Sequence, residues 1–222
     1  MSTEEIFTEI FKQNAWEGKH SVSGSGADPD QTETIIQELP ALLSELRVST
    51  MLDLPCGDFH WMSKLDLKGL GIKYIGADIV KELVSQNKEY ESHRISFVQA
   101  NLLSDQLPTV DLVLCRDCLV HFSFADLRLA LNNICRSGST YLLTTTFSAQ
   151  LKNVDIATGG WRALNLQIEP FNLSAPLRIL VENCTEENGS FDDKSLGLWK
   201  VSDIKRRLEL LEASLTGRRD GG

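Results

Sequence analysis

Thr50-Met51-Leu52-Asp53-Leu54-Pro55-Cys56-Gly57-Asp58-Phe59-His60-Trp61 reads as a strand running into a ligand-binding turn. Residues 48–54 are apolar and β-leaning, Pro55 removes a ladder donor and stops the strand, and Gly57 lets the backbone turn sharply and approach a ligand closely. Open α/β sheets bind ligands at the carboxyl ends of their strands, so this turn is a binding site. Asp53 and Asp58 flank it. Two carboxylates oppose a phosphate cradle, which wants unopposed backbone N–H groups, and the Walker Gly-Lys-Ser/Thr is absent. The dinucleotide fingerprint needs three glycines where only Gly57 stands, which disfavours NAD. A cationic ligand suits the turn better.

Downstream, strands are predicted over 73–78, 95–99, 110–115 and 140–147, with helices over 81–90 and 126–135 and a short one over 59–65. Repeated strand-helix-strand units give an α/β fold, Rossmann-like and doubly wound, with a mainly parallel seven-stranded sheet. Its last two strands, 177–182 and 196–201 with Asn188-Gly189 in the link, form an antiparallel terminal pair. Upstream, residues 2–14 carry helical apolar spacing, 16–30 is a Gly/Ser-rich loop suited to a lid, and a helix follows to about Leu46. One domain results: 1–31 an N-terminal helix and lid loop, 32–201 the core, and 202–222 a C-terminal helix and tail, disordered from Thr216.

The 222 residues carry a net charge of −9 and 42% hydrophobic residues. That acidity opposes nonspecific nucleic-acid binding. With no signal peptide and no apolar run of membrane-spanning length, a cytoplasmic protein without membrane association is expected. The five cysteines read as reduced thiols, and Cys115-Arg116-Asp117-Cys118 lacks the further ligands of a zinc site, so no metal is expected.

Asp78 closes the second strand 21 residues beyond Gly57, where a doubly wound fold places a carboxylate that accepts from ribose hydroxyls. With this acid, the glycine turn, the alternating units and the terminal pair, the chain resembles the class I S-adenosylmethionine-dependent methyltransferases over roughly 32–201. It is similar to a group of bacterial methyltransferase-like proteins sharing Pro55-Cys56-Gly57-Asp58-Phe59, Gly76-Ala77-Asp78-Ile79-Val80 and Arg116-Asp117-Cys118-Leu119-Val120-His121. The resemblance implies S-adenosylmethionine as cofactor. Asp53 and Gly57 fall in the methionine turn, Asp78 at the ribose, Asn101 at the adenine edge, and Cys115, Arg116 and Asp117 in the wall beneath the sulfonium. Pro55, Asp58, Ile79 and Leu102 complete that cofactor set. The family's second turn glycine is replaced by Asp58-Phe59, and many relatives have Asp where this chain has Asn101.

The cofactor's positive charges agree with the acidic turn. A methyl acceptor must also lose its proton, and His121 is the base candidate, with Asp117 as partner or alternative. Residues 148–176 form a long loop after the fifth strand, on the turn's side of the sheet. Within it Trp161, Arg162 and Asn165, together with Trp16 of the lid, make the expected acceptor site. The expected function is methyl transfer to a small-molecule or glycan-type acceptor, O-methylation preferred. The competing readings are a degenerate methyltransferase fold used as a protein-binding module and an NAD-dependent oxidoreductase.

Overall fold

A computed structural model describes residues 1–216, with side chains through Ala213. The expected disordered tail lies outside these residues, apart from Thr216, which closes the last helix.

Seven strands form one sheet: β1 (Thr50–Asp53), β2 (Lys73–Asp78), β3 (Ile95–Gln99), β4 (Leu112–Cys115), β5 (Tyr141–Phe147), β6 (Arg178–Val181) and β7 (Lys194–Lys200). Their spatial order is β3-β2-β1-β4-β5-β7-β6. The first five are parallel, and β7 inserts antiparallel between β5 and β6. The order reverses between β1 and β4, which makes the ends of these two strands the topological switch point of the sheet.

Helices cover both faces: α1 (Thr3–Gln13), α2 (Pro29–Glu45), α3 (Lys81–Asn87), α4 (Phe124–Arg136), the single distorted turn α5 (Glu186–Gly189) and α6 (Val201–Thr216). One core packs α4 and α6 against the sheet through Leu127, Leu131, Ile134, Ile204 and Leu208; the other packs α2 on the opposite face through Ile35, Leu39 and Leu43. Parallel strands sandwiched in this way are apolar on both faces, and β4 is buried throughout. Each large aliphatic side chain so buried contributes about 1.5 to 3 kcal/mol.

The short helix expected over 59–65 is only a 3₁₀ turn, Met62–Lys64. Phe59 itself lies at φ 59°, in the left-handed region, which no right-handed helix tolerates. Its ring is buried against Tyr74 and Phe97, and this packing holds a conformation usually left to glycine. The loop over 148–176 contains no helix or strand, as expected, yet Leu164, Leu166 and Phe171 are fully buried, so it is part of the core. No helix among the described residues is long and apolar enough to cross a membrane.

Candidate active site

The site begins where β1 ends. Leu54 N–H still reaches the ladder, donating to Leu114 O at 2.9 Å, and Cys56 N–H donates to Ala77 O at 2.8 Å across the gap to β2. Between them the Leu54–Pro55 peptide is cis. Gly57 follows at φ 55°, and its N–H donates to Asp78 Oδ2 at 3.0 Å. Asp78 Oδ1 accepts from Val80 N–H at 2.9 Å, so one carboxylate ties the glycine turn to the end of β2. Asn87 of α3 closes the ring from below, donating to Gly57 O at 2.7 Å.

Both acids at this end are buried. Burial pushes Asp53 up to about 7, against the opposing hydrogen bond from Tyr74 Oη at 2.7 Å. Burial also raises Asp78 to about 6, with the amides of Val80 and Gly57 opposing. A positive ligand would favour the ionised form of each. The pocket above them is lined by Asp53, Pro55, Gly57, Asp58, Asp78 and Ile79 on one side and by Asn101, Leu102, Arg116 and Asp117 on the other. Every expected cofactor residue except Cys115 therefore meets at one cavity; Cys115 lies fully buried in β4 beneath it. Asn101 Oδ1 is occupied by Leu103 N–H at 2.9 Å, which leaves the amide N–H₂ as its ligand group.

The lid loop is folded down on this pocket. Asp28 accepts from the backbone amides of Lys19, His20 and Ser21. Ser23 Oγ accepts from Asp58 N–H at 3.0 Å, while Val22 N–H donates to Asp58 Oδ2 at 3.1 Å. Asp58 is thus a lid latch as well as a pocket residue.

His121 lies in a 3₁₀ turn after β4, buried, with Trp16 stacked on its ring at 4.6 Å. Its Nδ1 is 2.8 Å from Gly160 O, which can only accept, so the proton sits on Nδ1 and Nε2 keeps a free lone pair. Burial lowers its pKa, outweighing the Gly160 carbonyl and Asp117, and the ring is neutral at neutral pH. That is the protonation state of a general base.

Asp117 is not an alternative base. Its Oδ2 is 2.7 Å from Lys194 Nζ and 3.3 Å from Arg116 Nη1, and Thr145 holds its backbone N–H at 2.8 Å. Burial alone would raise its pKa, but Lys194 and Arg116 win and bring it down to about 2. A carboxylate so weakly basic takes no proton near neutral pH. Arg116 is likewise turned to internal partners, Gly26 O and Glu182 Oε2, each at 2.7 Å. Its guanidinium is committed to holding the lid and β6 together under the pocket wall.

The expected acceptor residues divide. Trp16 and Trp161 line a second cavity, which His121 and Asp117 share with the first. Arg162 and Asn165 do not line it. Arg162 is buried, donates to Phe122 O at 2.6 Å and lies over the Phe124 ring at 5.0 Å. Asn165 bonds Ser148 O and Gln150 O and receives Gln167 N–H, pinning the loop to itself. Both are structural because a loop that joins the core must satisfy its own buried carbonyls. Arg162→Ala is expected to destabilise the fold by about 1 to 3 kcal/mol in a denaturant melt, with S-adenosylhomocysteine affinity unchanged; an unaltered melt would return Arg162 to the site. The reading of the sequence missed Phe147, Phe191, Glu186, Glu187 and Lys194, which complete the second cavity. They come from β5, β7 and the β6–β7 link, and no local pattern announces their meeting.

Residues 51–138 match a family model described as a methyltransferase domain. Over that stretch the chain is similar to methyltransferase domains. That stretch runs from β1 through α4 and includes the glycine turn, Asp78, Asn101 and His121. Among solved structures, the N-methyltransferase NodS from Bradyrhizobium japonicum WM9, crystallised with S-adenosyl-L-homocysteine, shares 16% identity at TM-score 0.62, over 87% of this chain and 97% of its own. The 1,6-didemethyltoxoflavin-N1-methyltransferase of Burkholderia thailandensis, with bound S-adenosylhomocysteine, shares 13% at TM-score 0.62, over 88% and 87%. Human N-acetylserotonin methyltransferase, in complex with SAM, shares 16% at TM-score 0.55, over 90% of this chain but only 60% of its own. At these identities the likeness is one of fold. No curated protein matches the sequence.

Proposed function

We propose that this methyltransferase domain uses S-adenosylmethionine to methylate a small polar acceptor, on oxygen in preference to nitrogen, with His121 as the base. The observation that carries the reading is the junction at His121, whose ring borders both the acidic cofactor cavity and the aromatic second cavity. The residues of the first cavity fit the cofactor: Asp78 lines it at the end of β2 with acceptor capacity beyond its backbone amides, Asp53 and Asp78 offer negative charge to a cation, and Asn101 offers an amide to adenine. When bound, S-adenosylmethionine supplies an activated methyl on a positive sulfur.

The chain's own residues then have three tasks. Asp53, Asp78 and the glycine turn hold the cofactor side, the lid through Trp16 and Ser23 excludes water, and His121 Nε2 takes the proton from the acceptor hydroxyl. Alignment and water exclusion supply most of the rate gain expected of such a transfer. A glycan-type acceptor fits the same reading, since a sugar ring stacks on an exposed indole such as Trp161.

Calorimetry with S-adenosylhomocysteine and S-adenosylmethionine tests the cofactor assignment directly. If neither binds, the proposal fails and the non-catalytic binding module gains. The two acids add a pH signature. Their pKa values are raised by burial, so between the ordinary carboxylate range and about 7 the cofactor-free protein holds protons that the unfolded chain has lost. Their contribution to stability is therefore present at low pH and is lost as pH rises through about 6 to 7. Cofactor binding has the opposite sign, because the cation binds the ionised acids. Affinity for S-adenosylmethionine is expected to strengthen from pH 6 to pH 8, by at most about tenfold per pH unit for each proton released. Titrations in buffers of different ionisation enthalpy count those protons; an affinity flat across the range would refute the linkage.

A further inference from the structure

The second cavity has a chemistry of its own. One wall is aromatic: Trp161 packs edge-on against Phe147 at 6.0 Å and Phe191 at 4.9 Å, and Phe147 against Phe191 at 5.7 Å. Trp161 remains 47% exposed, so its indole is offered to the cavity rather than spent on packing. The facing rim is the distorted turn α5, where Glu186 and Glu187 stand at the mouth.

The charge balance of the surroundings is resolved pair by pair. Lys194 Nζ is 2.7 Å from Asp117, 3.7 Å from Glu182 and 3.7 Å from Glu186. Arg116 pairs with Glu182 and Asp117. The two cations pair with the carboxylates of Asp117, Glu182 and Glu186, and Glu187 at the rim adds to an excess of negative charge. Glu186 is partly engaged, accepting from Ser25 Oγ at 2.5 Å. The Glu187 carbonyl accepts from Ser190 N–H and Oγ, but its carboxylate has no hydrogen-bond or ion-pair partner among the described residues, and φ 49° at its backbone sets it in a left-handed turn at the cavity rim. Both cations have side chains only 5% exposed and are consumed internally, so an entering anion finds no free positive group here.

We infer that the acceptor carries an organic cation, an ammonium group seated between the Trp161 face and the Glu187 carboxylate. An aromatic face attracts a cation through its quadrupole, and an unpaired carboxylate on the same cavity rim adds Coulomb attraction. The ammonium is a recognition group; the atom that takes the methyl is a separate hydroxyl on the His121 side. Acceptors bearing phosphate or carboxylate at that position are disfavoured by the same charge excess. This inference rests on the second cavity being the acceptor site.

Choline and its neutral carbon isostere, 3,3-dimethyl-1-butanol, are the probes, titrated by tryptophan fluorescence into the full chain saturated with S-adenosylhomocysteine. Choline is expected to bind at least tenfold tighter than the isostere. Glu187→Gln and Trp161→Ala should each weaken choline by about fivefold or more while leaving S-adenosylhomocysteine affinity, read by calorimetry, unchanged. Glu187 is exposed, so its variant keeps the fold. Equal binding of the two probes, absence of choline binding, or choline affinity untouched by Glu187→Gln would each overturn the inference. Loss of S-adenosylhomocysteine binding by the parent is a separate result and would fall on the proposed cofactor, whatever the probes do.

Discussion

His121→Ala is expected to lower turnover by about 10² to 10⁴-fold, the usual worth of a positioned general base, with S-adenosylhomocysteine affinity unchanged. The expectation rests on the tautomer. Gly160 O accepts the Nδ1 proton, so the ring keeps its lone pair on Nε2. Because burial lowers its pKa below the ordinary histidine range, the active form persists into mildly acidic solution, and the acid limb of the rate profile should lie below the ordinary value near 6.5. Asp117, at about 2, is ionised throughout and adds no limb of its own. A rate profile for the parent without an acid limb, or an alanine variant of full activity, would remove the base from the mechanism. Trp16 stacks on the ring, so the variant's fold should be checked by near-ultraviolet dichroism before its rate is interpreted.

Asp78→Ala should weaken S-adenosylmethionine by about 1.5 to 3 kcal/mol, a factor of roughly 10 to 150 in dissociation constant. Charge-assisted bonds to ribose hydroxyls supply that range. The structure adds a second reason: the same carboxylate holds the N–H groups of Gly57 and Val80, so its loss releases the glycine turn as well. Asp78→Asn is the intermediate case, since its single amide oxygen still accepts from one of these two backbone N–H groups but carries no charge. Its affinity should fall between parent and alanine variant, and its gain with rising pH should shrink. Parent-like binding by both variants would exclude the ribose assignment.

The lining of the first cavity was legible in the sequence because its residues sit at the ends of successive parallel strands. Strand ends recur at regular intervals along the chain, and Gly57, Asp78 and Asn101 each follow a recognisable apolar run. The second cavity was not legible to the same degree. Trp16 and Trp161 were found because large aromatics in polar loops stand out. Arg162 and Asn165 looked alike in composition, but both donate to buried carbonyls, a partnering that no one-dimensional pattern reveals. Lys194 was hidden for the converse reason: a lysine at the start of a strand looks solvated, yet here it is buried beside three carboxylates. The short helix expected after the turn failed because Phe59 adopts a backbone conformation that its type rarely takes and that only the aromatic cluster beneath it explains.

Residues 16–28 border both cavities at once, through Trp16 and Ser23. They are latched at one end by Asp58 and at the other by Arg116 and Glu186. On the proposed function, spent cofactor and methylated product would both leave past this one strip of chain, so the two departures would share one barrier. Catalytic cycling would then be paced by how often that strip opens, and an enzyme with faultless chemistry could still be slow. Loosening one latch by Ser25→Ala should speed release of S-adenosylhomocysteine in stopped-flow measurements severalfold. An unchanged release rate would mean that cofactor and acceptor come and go by separate routes.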